Sequence, residues 1–161
     1  MFWKILLVFL VSMVPLIELR GAVPLAIGLE TGLPEWLVLI IAAIGNIVPV
    51  PIIFFFARKV LIWGQKSRWA PFKNFCIFCL EKGKKAGDKL LSKAKSGAYF
   101  ALFLFVAIPV PGTGAWTGTL AASILDLDFK KTMFAVISGV LVAGLIMLLV
   151  SLGVFKLIFG S

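Results

Sequence analysis

Apolar residues in this chain come in continuous blocks, neither striped at helical spacing nor alternating as in a strand. A helix that crosses a bilayer needs about 20 apolar residues to span ~30 Å of hydrocarbon. Two blocks reach that length, Trp36 to Ala57 and Thr132 to Phe155. Four shorter blocks do not. Ile5 to Ile17 stops at Glu18 and Arg20, and Ala22 to Leu29 follows. Ala98 to Ile108 runs into Pro109–Val110–Pro111–Gly112–Thr113–Gly114, and Ala115 to Leu125 resumes. Each half of the chain therefore reads as short helix, break, short helix, full span. As one straight helix, Ile5 to Leu29 would be about 37 Å long at ~1.5 Å per residue, with a Glu and an Arg near its centre. Helix-breaking backbone at membrane depth is tolerated where protein buries it or where it lines a cavity, so the pattern predicts re-entrant hairpins.

The halves also resemble each other. Phe9-Leu-Val-Ser-Met-Val-Pro15 parallels Phe103-Leu-Phe-Val-Ala-Ile-Pro109. The expected fold is an all-α integral membrane protein of two inverted-topology repeats. Each repeat is a re-entrant helical hairpin plus one full transmembrane helix. Residues 1–63 form the first repeat and 98–161 the second. Residues 64–97 form a basic amphipathic segment between them, all within a single membrane domain 1–161. The apolar start runs into Pro15, Glu18 and Arg20 without a small-residue cleavage site, so it is expected to be retained.

Composition fits a lipid solvent. Of 161 residues, 61% are hydrophobic and 14% charged, with mean hydropathy +1.12; soluble domains hold about 25% charged residues. The net charge of +9 falls wholly between Arg58 and Lys95, while basic and acidic residues balance elsewhere. Basic blocks between membrane segments stay inside, which makes residues 58–97 a cytoplasmic loop of a multi-pass cell-membrane protein. Lys130 and Lys131 agree with that orientation; Lys4 and Lys156 do not. The expected partners are membrane lipids, with anionic headgroups at the basic loop, and no nucleic acid. Trp69, Phe72, Cys76 and Cys79 or Leu80 recur at helical spacing, which predicts an amphipathic helix at the headgroups. Trp36 and Trp63 flank the first span as an aromatic belt would. Cys76 and Cys79 form a lone C-x-x-C. Zinc would need two further ligands and the chain has no His, so neither a metal nor any other cofactor is expected.

Few residues could carry chemistry. Glu18 and Arg20 are ionisable at membrane depth, which costs about 2.5–3.5 kcal/mol on insertion scales and marks a functional site by default. Arg20 suits a phosphate or carboxylate through its planar fork, and Glu18 is the candidate proton carrier. The bland alternative is an ion pair that holds a hairpin tip. Pro15, Pro24, Pro109 and Pro111 are the expected hairpin breaks, since proline donates no backbone hydrogen. Gly112, Thr113 and Gly114, followed by a helix starting near Ala115, would aim free N–H groups at whatever fills the second break; a packed turn is the bland reading. Thr117 and Thr119 add hydroxyls. Asn46 could reach a hairpin tip from the first span, where Pro49 and Pro51 would kink the helix. Glu30, Glu35, Asp126 and Asp128 sit at segment ends and read as solvated. Nothing forms a nucleophile triad or a metal cluster, so no enzyme is expected.

At both breaks the sequence resembles the small multidrug export protein family. Its Glu-x-Arg-x-x-x-Pro signature is matched by Glu18-Leu-Arg20-Gly-Ala-Val-Pro24, and its Pro-x-Pro-Gly-Thr-Gly-Ala-Trp signature by Pro109 through Trp116. The arrangement is more distantly similar to the DedA superfamily, which implies opposed re-entrant hairpins and movement of lipid phosphates. DedA proteins carry arginines in the second hairpin, whereas this chain has no charge from Ser96 to Leu125. The first expectation is a transporter or lipid flippase for an anionic, lipid-phosphate-like substrate. Arg20, Asn46, Gly112, Thr113, Gly114 and Thr117 would bind it and Glu18 would couple it to protons. The alternatives are a small multidrug or cation exporter using Glu18, and a non-transporting membrane scaffold. A homodimer is compatible with each.

Overall fold

The computed structural model describes residues 2–15, 17–78, 80–81, 95–110 and 113–159, and no β-strand occurs among them. In chain order the helices are α1 (Phe2–Met13), α2 (Glu18–Gly28), α3 (Glu35–Ile47), α4 (Pro49–Gly64), α5 (70–78), α6 (Lys95–Ala107), α7 (Ala115–Ile124) and α8 (Phe129–Phe159).

Two stretches are long and apolar enough to cross a membrane: Glu35–Gly64, of 30 residues and hydropathy 2.6, and Phe129–Val154, of 26 residues and hydropathy 2.8. At ~1.5 Å per residue they extend about 45 and 39 Å. The first comprises α3 and α4. Val48 separates them because Pro49 and Pro51 bring no N–H to the carbonyls of Gly45 and Ile47. Helix nonetheless continues to Gly64, beyond the apolar boundary at Ala57, since charged residues end a hydrocarbon crossing without ending a helix.

The short helices reverse direction in pairs. Pro15 stops α1, and Glu18 enters α2 with φ 52°, a left-handed conformation that costs a side-chain-bearing residue about 1–2 kcal/mol. Lys4 Nζ, at the start of α1, donates to Thr31 O beyond the end of α2 at 2.6 Å. A continuous helix would part those residues by about 40 Å. The second pair closes similarly: the N–H of Asp128, beyond α7, donates to Tyr99 Oη in the first turns of α6 at 3.1 Å. Helices α2 and α7 also end alike. Thr31 N–H reaches Ala26 O at 3.3 Å and Glu30 N–H reaches Ile27 O at 3.0 Å; Leu127 N–H reaches Ala122 O at 3.0 Å and Asp126 N–H reaches Ser123 O at 3.3 Å. Both are Schellman caps, with Glu30 (φ 45°) and Asp126 (φ 58°) at the left-handed position.

Packing follows the same exchange. Helix α1 lies on α3 and α6 on α8, while α2 crosses to α8 and α7 to α4. Phe129 meets Phe54 and Phe55 at ring distances of 5.2 and 4.7 Å, and Leu152 lies beside Glu30, Glu35 and Val38. Helix α8 therefore runs antiparallel to α3–α4. The core is built of small side chains, among them Ala22, Val23, Ala42, Val106, Ala115, Val136 and Val140. Such residues let helix backbones approach; a Cβ on Gly45 would stand 2.6 Å from Phe9 O. Large apolar side chains face outward instead, including Trp3, Phe134, Leu149 and Leu157. That is a surface suited to lipid.

Two sequence expectations need adjusting. Pro24 is not a break but lies inside α2; its missing N–H leaves one turn of the helix one bond short without ending it. Helix α5 docks through Phe72 and buried Cys76 onto Gly64, so only part of the apolar face is spent inward, while Trp69, Phe75 and Phe78 are exposed. Cys79, residues 82–94, Pro111 and Gly112 lie outside the described residues.

Candidate functional site between the two breaks

The start of α2, just after the first break, meets Ile108–Val110 and Thr113–Gly114 of the second, and its two charges, Glu18 and Arg20, serve the helix ends there. Arg20, in the first turn of α2, reaches the C-terminal end of α6. Its Nη2 donates to Val106 O and Ile108 O at 3.0 Å each. Its Nη1 donates to Val110 O and Thr113 O, and to Thr113 Oγ1 at 3.0 Å. A helix end interrupted by proline leaves carbonyls unpaired, and a cation there also complements the helix dipole. One guanidinium thus satisfies the carbonyls that the second break exposes.

Glu18 goes the other way. Its side chain is 4% exposed. Oε1 accepts the Trp116 N–H at 3.0 Å, with the Ala115 N–H and the Asn46 side chain also directed at the carboxylate. The free N–H groups expected at the start of α7 are present, and the anion they hold is Glu18 itself. Gly114 makes this possible: a Cβ there would overlap both carboxylate oxygens. Residues two apart do not share a helix face, and here they diverge to opposite ends of one break.

A cavity of ≈ 280 Å³ opens beside this junction, lined by Pro15, Glu18, Ile53, Thr113, Trp116, Thr117 and Leu120. Glu18 is the formal charge among those lining residues; Arg20 is not one of them. Among the described residues, Trp116 Nε1 and Thr117 Oγ1 are buried without a hydrogen-bond partner, as is Oδ1 of Asn46, whose side chain meets Glu18. Buried polar atoms are rarely left unpaired, so a cluster of them marks a place built to meet a ligand or water.

Of the residues singled out in the sequence, the junction gathers Pro15, Glu18, Arg20, Asn46, Pro109, Thr113, Gly114 and Thr117. Ile53, Trp116 and Leu120 were not anticipated as cavity lining. Trp116 had a signal, since it closes the Pro109–Trp116 signature; Ile53 and Leu120 look like any other apolar residue. No group of three or more His, Cys, Asp or Glu side chains that could hold a metal ion occurs among the described residues.

The profile of the family described as "Putative small multi-drug export protein" matches residues 18–146. The chain belongs to this family. The matched stretch opens at Glu18, just after the first break, and takes in the second break, α3–α4 and the first part of α8. Membership of an export family, together with two helices long and apolar enough to cross a membrane, points to a membrane protein of a transport kind. No curated protein and no solved structure matches the chain.

Proposed function

We propose that this protein exports apolar organic cations in exchange for protons, with Glu18 as the shared binding group. The carrying observation is the cavity: its formal charge is a buried carboxylate, flanked by the Trp116 indole, while Arg20 is turned away onto carbonyls. A carboxylate beside an aromatic face is cation-binding chemistry, and the apolar walls at Pro15, Ile53 and Leu120 suit a hydrophobic substrate body. One carboxylate can hold a proton or a cation but not both, which is sufficient for exchange. Arg20 keeps the second break folded, Thr117 lines the cavity beside Glu18, and Asn46 backs the Glu18 carboxylate. The family description, of multi-drug export, is compatible with such a substrate.

In this reading the two helix pairs are re-entrant hairpins that enter from opposite membrane faces, and the halves are inverted repeats. Support comes from the reversal at Lys4–Thr31 and at Tyr99–Asp128, the matched caps at Glu30 and Asp126, and the antiparallel run of α8 against α3–α4. The tips then meet near mid-bilayer, where alternating access would expose the cavity to either side. The loop 58–97 lies on the cytoplasmic side.

The test is pH-gradient-driven efflux of tetraphenylphosphonium from proteoliposomes. Wild type is expected to move it. Glu18→Gln and the cavity-filling variant Leu120→Trp, each shown monodisperse and helical, are expected to lose most of the activity. If wild type instead moves a labelled polyprenyl phosphate and no cation, the anionic-substrate reading replaces this one. If it moves neither, the scaffold reading does.

A further inference from the structure

A second cavity, sharing no lining residue with the first, lies between the first turns of α6 and α8. It is the larger of the two, ≈ 550 Å³, and its wall grades from polar to apolar along one direction. Lys130 and Lys131 stand at the start of α8 and Tyr99 near the start of α6, with Phe100 beside it; one turn deeper come Phe103 and Phe134. Both helices run inward from the same end, so cationic heads lie at the rim and aromatic rings below. Phe134 is 76% exposed and Phe100 62%, rings that no other part of the described fold covers. Lys131 Nζ rests 5.7 Å from the Tyr99 ring centre. Asp128 caps the start of α8, its Oδ1 accepting the Lys131 N–H at 3.0 Å, and is not among the residues that line the groove.

We infer that this groove holds one anionic phospholipid, its phosphate on Lys130 and Lys131 and an acyl chain on Phe100, Phe103 and Phe134. Charge complementarity selects the occupant. Two adjacent cations at the rim of an apolar trough match a lipid with a negative head, and a soluble anion would leave the trough empty. A zwitterionic lipid would set its choline against the lysines. The site is distinct from the diffuse basic loop, because its cations are continuous with a chain-sized apolar slot. It does not depend on what the central cavity transports.

Native mass spectrometry of the full chain, released from micelles doped with phosphatidylglycerol or phosphatidylcholine, tests it. Wild type is expected to retain one phosphatidylglycerol per chain in preference to phosphatidylcholine. Lys130→Gln/Lys131→Gln should weaken that retention about 30-fold, from roughly 1 kcal/mol per basic residue at a membrane surface. Phe134→Ala should weaken both lipids. The control Lys59→Gln/Lys66→Gln, which alters exposed cations outside the groove, should change retention less than about threefold. Equal retention of the two lipids overturns the inference, as does undiminished binding by the Lys130/Lys131 variant. So does an equal loss in the control, which would assign the lipid to the basic surface at large.

Discussion

Gly114 and Arg20 are the residues on which the junction turns. Gly114→Ala would drive a methyl group into the Glu18 carboxylate and push it off the start of α7. The expected loss is about 2–3 kcal/mol, the size of an overpacked core combined with a broken charged hydrogen bond. It would be read as a lower unfolding temperature in detergent. Arg20→Lys keeps the charge but cannot reach carbonyls on both sides of the break from a single ammonium. It should destabilise by about 2 kcal/mol, and Arg20→Ala by more, since Val106 O and Thr113 O would then lose the donor that Arg20 gives them. Both measurements separate the two charges: Arg20 variants act first on stability, Glu18→Gln first on transport. The sequence announced both residues, because ionisable groups at membrane depth are conspicuous. It did not announce their partners. A spacing of two says that Glu18 and Arg20 point apart, yet only the meeting of the two breaks decides that one finds N–H groups and the other carbonyls.

At the scale of elements, proline and length carried most of the information. Blocks too short to span, interrupted at Pro15 and Pro109, predicted paired short helices, and the chain reverses at both. Pro24 was legible as a helix breaker but not as one that a helix absorbs; α2 is anchored at its start by Arg20 and at its end by the Schellman cap, so one missing bond does not end it. The Glu30 and Asp126 caps were invisible in sequence, because acidic residues at segment ends look solvated whether or not they take left-handed backbone. The reversal has a direct measure. Spin labels at positions 3 and 29, in a background with Cys76 and Cys79 replaced by Ser, should lie within about 20 Å. A single straight helix would hold them about 39 Å apart at ~1.5 Å per residue.

At the scale of the molecule, the proposal needs hairpins that open on opposite membrane faces. Single cysteines introduced at Glu30 and at Asp128, in the same thiol-free background, should label with an impermeant maleimide from opposite sides of intact cells. Labelling of both from one side would remove the inverted arrangement and with it the alternating site. The charge pattern predicts an orientation that this labelling tests, and composition pointed to the membrane. Neither could reveal that Arg20 would be consumed inside the fold, leaving Glu18 as the charge that meets the cavity.

The measurement that tests the central claim most directly is the pH dependence of tetraphenylphosphonium binding to the purified protein. If a proton and a cation compete for the Glu18 carboxylate, affinity falls as pH is lowered, with a limiting slope of about tenfold per pH unit for one proton. Glu18→Gln should bind weakly and without that slope. Affinity that stays flat with pH in wild type, or a slope that survives in Glu18→Gln, would contradict the account.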